Sequence, residues 1–183
     1  MLLLRTQTPD IGFPGPIRYA LRQETCRVEF AVKHMVLATA RGYLAAIGGE
    51  LVVDAFDPLD SCVRVDLDAT SLDTGSAERD ELLRGPDFLD VARFPVITFE
   101  STDVSEVEPT LYVVWGDLYL KDLVGELPLQ TRLAAAGPDA ITFAATTVLS
   151  RRAFGLTWSN AMEKFGVTVA DTVKITLAAE FGA

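Results

Sequence analysis

Histidine, cysteine and asparagine are scarce in this chain. It has one histidine, His34, two cysteines, Cys26 and Cys62, and one asparagine, Asn160. One imidazole cannot build a His-rich zinc site, and two cysteines without CxxC spacing cannot build a thiolate cluster. Any Ser-His-Asp or Cys-His arrangement would depend on His34. Two buried free thiols are expected rather than a disulfide. Ala161 and Met162 follow Asn160, so no glycosylation sequon exists. Basic residues are also few. Sixteen Lys and Arg stand against 26 Asp and Glu, a net charge of −10. That balance argues against nucleic acid as a partner, and against electrostatic docking on anionic lipid heads. No apolar run reaches the length of a membrane span. Met1-Leu2-Leu3-Leu4 meets Arg5 at once, unlike a signal peptide. The expectation is a cytoplasmic protein.

What the chain does have is apolar content, 49% over 183 residues. That is enough for one domain with its own core. The apolar residues recur with period two. Cys26, Val28, Phe30 and Val32 alternate with polar or small neighbours, as do Val63, Val65 and Leu67, and Val173, Ile175 and Leu177. Such alternation marks half-buried antiparallel strands. Further strands are expected near Gly42–Val53, Ile97–Ser101, Leu111–Leu120, Gly125–Leu133 and Ile141–Leu149. Turns are expected at Gly48-Gly49, Asp57-Pro58, Glu108-Pro109 and Gly137-Pro138. The segment after Ser76 lacks alternation and carries acids in its first turn, as a short helix does. Asn160 with Glu163 three residues on resembles a capping box opening a second helix. About eight antiparallel strands can form a sandwich or a barrel, and composition does not choose.

A run of motifs narrows this. Ser71-Leu72-Asp73-Thr74-Gly75 leads to Glu78-Arg79-Asp80 and Leu83-Arg84. Pro86-Asp87-Phe88-Leu89-Asp90-Val91 and Phe94-Pro95-Val96-Ile97-Thr98-Phe99 follow. Val28–His34, Gly116-Asp117-Leu118, Ser150–Leu156 and Val169–Ile175 continue the pattern. The chain resembles the YceI-like family of polyisoprenoid-binding proteins from about Tyr19 to Phe181. It departs from that pattern at Thr25-Cys26, Leu82 and Ser150. The resemblance implies an all-β fold, a single eight-stranded antiparallel extended barrel of lipocalin-like shape with one or two short helices. The domain would span 1–183, with 1–18 as an N-terminal extension. It also implies an apolar tunnel for a polyprenyl chain, an isoprenoid quinone or a fatty-acyl compound. A homodimer and transient membrane contact go with it, and no catalytic residues, metal or other cofactor.

The expected tunnel lining is Val28, Phe30, Val32, Val63, Val65, Leu67, Phe99, Leu118, Leu120, Leu129, Phe143, Val173, Ile175 and Leu177, with Trp158 as a lid. Each lipid CH₂ buried there contributes about 0.8 kcal/mol, so a long chain needs no polar anchor. His34, Arg79, Arg84, Arg151 and Arg152 are candidates for a head-group site or mouth, since arginine suits a phosphorylated head. The plainer reading of these arginines is a salt-bridged loop. Two alternatives stand beside a binding protein. One is an isomerase or hydrolase acting on such a lipid, which would need His34 or an Asp inside the tunnel. The other is a solid barrel with a structural or interaction role.

Overall fold

The computed structural model describes residues 15–34, 38–157 and 169–183. Eight long strands carry the alternating segments: β2 (Arg27–His34), β3 (Ala38–Val53), β4 (Cys62–Asp73), β5 (Val96–Glu108), β6 (Leu111–Leu120), β7 (Leu123–Ala136), β8 (Ala140–Ser150) and β9 (Val169–Gly182). Each pairs antiparallel with the next in sequence. β9 then pairs with β2 and closes the sheet into a barrel. Closure removes the exposed edges an open sheet would present.

A ninth strand, β1 (Ile17–Leu21), begins within the stretch expected to be an extension. It pairs with the far end of β3 and with Phe181 and Gly182 of β9. β1 and β2 run in the same direction between the same two neighbours. They form one interrupted stave, broken by a 3-10 turn at Gln23–Thr25. The first half escapes a periodicity reading because only two of its five residues, Tyr19 and Leu21, are buried.

Inward residues build two core clusters that share the partly buried Leu44, Val63, Leu67 and Ile175. Bulges interrupt the alternation. The β5–β6 register shifts between Ser101 and Asp103, and the inward set passes from Ile97 and Phe99 to Val104. The β3–β4 register shifts between Ala46 and Gly48. Gly48-Gly49, expected as a turn, therefore lies inside one long strand as part of a bulge. An extra residue on one strand exchanges the inward and outward faces, which a two-residue period hides. Turns do occur at Asp57-Pro58, Glu108-Pro109 and Gly137-Pro138.

Three phenylalanine rings lie against glycines of a neighbouring strand. Phe30 covers Gly42, Phe99 covers Gly116, and Phe154 covers Gly125; a Cβ at each glycine would come within 2.3 to 2.6 Å of the ring. Without a side chain beneath it, each ring can lie flat on the wall.

One helix, α1 (Ala77–Arg84), follows β4 and crosses one end of the barrel, with Leu83 buried beneath it. Ser76 sits at its N-cap but makes no side-chain cap bond. Asp80 does the fastening. Buried, it accepts from the Thr74 amide at 2.9 Å and from the Thr74 hydroxyl. Arg79 donates to the same Thr74 through its hydroxyl and its carbonyl. Asp80→Ala should cost about 2 to 3 kcal/mol, since bonds to a buried carboxylate are the stronger kind. The urea midpoint measures the loss, and amide exchange should speed up first around 74–84. Unchanged exchange there would mean Asp80 does not hold the helix down. The expected second helix at Asn160–Phe165 lies outside the described residues, as does Trp158.

Candidate functional site

The barrel is not solid. Among the described residues, two chambers open in its interior. The one at the α1 end measures about 460 Å³, and the far one about 310 Å³. Leu44, Ile97, Leu120, Leu149 and Ile175 line both, so the chambers meet at an aliphatic waist. Both volumes fall in the range of small-molecule sites.

The walls follow from the strand pattern. The fourteen expected apolar residues within the described chain all line a chamber. Phe30, Val32 and Val173 face the α1-end chamber, Leu120 and Ile175 the waist, and the other nine the far chamber. Among the described residues, no charged side chain lines the far chamber. Cys26 lies in its wall, where burial pushes the thiol pKa up and keeps it protonated. Both cysteines are free, but only Cys26 is buried as expected: Cys62 also lines that chamber yet is exposed, at the first residue of β4.

The α1-end chamber has a mixed rim. His34, Thr74, Ser76, Glu78, Arg79 and Arg151 line it beside Leu82, Phe88 and Leu156. Of the five polar candidates, the structure thus brings His34, Arg79 and Arg151 to one chamber. Arg151 is buried and donates to the carbonyls of Leu156 at 2.8 Å, Ala170 at 3.0 Å and Val169 at 3.2 Å. It ties the turn after β8 to the start of β9. Arg84 and Arg152 lie elsewhere. Arg84 donates to the Leu72 carbonyl and fastens α1 to β4. Arg152 is exposed and pairs with Asp171 at 3.9 Å. Side-chain reach separates these arginines, and sequence spacing does not report it.

Asp171 links the same segments. It accepts from the Ser150 hydroxyl at 2.6 Å and the Arg152 amide at 3.0 Å. The Ser150 bond first, then the Arg152 amide, holds its carboxyl below the ordinary 3.8. Folding therefore favours the charged form. Its stabilisation is present above the unfolded value and is lost as pH falls through the lower folded one. Asp171→Asn should lower the urea midpoint near neutral pH and have little effect near pH 2. Equal losses at both would assign the effect to packing instead.

Sequence reasoning missed several wall residues. Leu44, Val104 and Ile141 sit on strand faces that bulges or weak alternation conceal. Thr131 and Thr147, polar residues outside the expected lining, point inward. Among the described residues, no helix is long and apolar enough to cross a membrane, and no group of His, Cys, Asp and Glu is placed to hold a metal.

A closed meander around an apolar, two-chambered lumen defines a lumen-bearing antiparallel β-barrel. Residues 19–181 match the model of the YceI-like domain, and the chain belongs to that family. Among curated relatives, a UPF0312 protein of Yersinia pestis is 37% identical over 112 residues, 61% of this chain and 58% of its own. A UPF0312 protein of Yersinia enterocolitica is 34% identical over the same length. The matched stretch thus spans under two thirds of these relatives. The fold is similar to that of BcnA of Burkholderia cenocepacia, with a TM-score of 0.75 at 20% identity, covering 87% of this chain and 98% of that one. It is also similar to a polyisoprenoid-binding domain of Saccharophagus degradans, with a TM-score of 0.71 at 13% identity, covering 90% and 98%.

Proposed function

We propose that this protein binds a long-chain isoprenoid or related lipid in its lumen, and stores or carries it without acting on it chemically. The observation that carries this reading is the open, mainly apolar interior running through two chambers. Burial of about ten methylenes at about 0.8 kcal/mol each outweighs the cost of ordering a flexible chain. Such walls select by length and width more than by chemistry. The Saccharophagus degradans neighbour, a polyisoprenoid-binding domain, adds support. Membrane contact belongs to the same reading: Leu82, Val96 and Leu123 are exposed at the α1 end, beside the mixed rim. The homodimer rests on the family resemblance alone.

The test is denaturing lipid extraction with mass spectrometry on protein made in its own host, beside native mass spectrometry of the intact protein. A stoichiometric prenyl, quinone or acyl species is expected. Empty protein that also refuses added prenols of several lengths overturns the reading in favour of a structural barrel.

A further inference from the structure

On one side of the far chamber three hydroxyl-bearing residues stand together. Tyr112 on β6, Thr131 on β7 and Thr147 on β8 all line it, on three consecutive strands. Tyr112 and Thr131 are direct cross-strand partners. Thr131 pairs with Ala145, so Thr147 is its diagonal neighbour two residues on. Side chains in that relation lie about 7 Å apart, within reach of one bound group. The rest of this chamber is mainly aliphatic and aromatic, with no charged side chain among the described residues.

Thr147 is the informative member. It is 7% exposed, and its hydroxyl finds no hydrogen-bond partner among the described residues. Valine has the same shape and would fill the position without that cost. Thr131 donates to the Leu129 carbonyl at 3.2 Å, which leaves its oxygen free to accept. A χ1 rotation exchanges the methyl and hydroxyl of a threonine, so Thr147 can turn its donor to a guest.

Resting on the lipid-binding reading above, we propose that Tyr112, Thr131 and Thr147 form a recognition strip for one neutral oxygen-bearing group of the lipid. A hydroxyl, phenol, quinone carbonyl or amide fits. A diphosphate does not, because an unpaired charge in an uncharged apolar chamber is too costly. The lipid's polar end therefore lies in the far chamber, beyond the waist, and its hydrocarbon tail extends towards α1. The arginines of the α1-end rim then serve the fold and do not hold the head group.

The experiment compares three probes of equal prenyl length on the intact chain: the alcohol, the parent hydrocarbon and the diphosphate. Binding is measured for the parent protein and for Thr131→Val/Thr147→Val. The alcohol should weaken about three- to tenfold in the variant, as loss of one or two hydrogen bonds predicts. The hydrocarbon should bind the variant as well or better, and the diphosphate should bind both poorly. A second measurement needs no variant. An alcohol spin-labelled next to its oxygen should broaden amide signals of Thr131 and Thr147 before those of Thr74 and Arg79. Equal alcohol affinity in both proteins, or broadening at Thr74 and Arg79, overturns the strip and leaves lipid binding standing. Failure of every probe to bind overturns both.

Discussion

Ala145→Trp should abolish lipid uptake while the barrel stays folded. Ala145 is 3% exposed and lines the far chamber between Thr131 on one side and Leu177 on the other. An indole there enters the lumen instead of a packed core. It occupies much of a space of about 310 Å³. Excluding four methylenes at about 0.8 kcal/mol each weakens binding by more than about a hundredfold. The usual cost of overpacking, about 1 to 3 kcal/mol, should shrink to its lower end because the added ring meets open space. Titration with a fluorescent prenol, beside circular dichroism, separates the two effects. A folded variant that still takes up the prenol at the parent's affinity would show that the lipid does not occupy the far chamber.

The largest expected loss of stability comes from one methyl group. In Gly116→Ala the new Cβ would stand 2.3 Å from Cζ of Phe99 and 2.5 Å from the carbonyl oxygen of Glu100. The Phe99 ring can swing away, though only by leaving the wall for the lumen. The Glu100 carbonyl belongs to the β5–β6 ladder, where Glu100 and Asp117 are paired, and it cannot retreat without breaking that register. A cost of about 3 kcal/mol is expected, at the upper end of overpacking. That corresponds to a fall of about 6 to 12 °C in melting temperature for a domain of this size. Gly48→Ala is the control, since a Cβ there meets nothing within 4 Å. Similar melting shifts for both would mean that backbone entropy, and not the close approach of Phe99 and Glu100, sets the effect.

Most of the barrel wall is legible in the sequence because burial on one face of a strand imposes a two-residue period. Val63, Val65 and Leu67 are read correctly as one face, and so are Val173, Ile175 and Leu177. Bulges limit that reading. After the irregularity at Ser101–Asp103 the inward residue is Val104, which a strict period starting from Ile97 and Phe99 assigns to solvent. Gly48-Gly49 is ambiguous for a related reason, since glycine marks turns and bulges alike. Thr131 and Thr147 go unread because a hydroxyl counts as outward in a polarity pattern. The rim is the least legible part. Arg79 and Arg84 are close in sequence on one short helix. Yet Arg79 lines a chamber, while Arg84 turns to the Leu72 carbonyl. Such a choice is made by packing between elements, and no local pattern carries it.

The seam between β2 and β9 also sets a schedule for the protein's birth. β2 leaves the ribosome before β3 to β8, and its partner β9 follows all of them. Until β9 has been made, β2 can pair only with β3, and its other edge stays open. The nascent chain must therefore wait as a curled, unclosed sheet whose inner apolar face is wet. Long-range pairings of this kind fold slowly and leave intermediates prone to aggregate. Chaperone demand during synthesis should accordingly be high for this chain, and a ribosome stalled before Val169 should hold a species that captures apolar dyes.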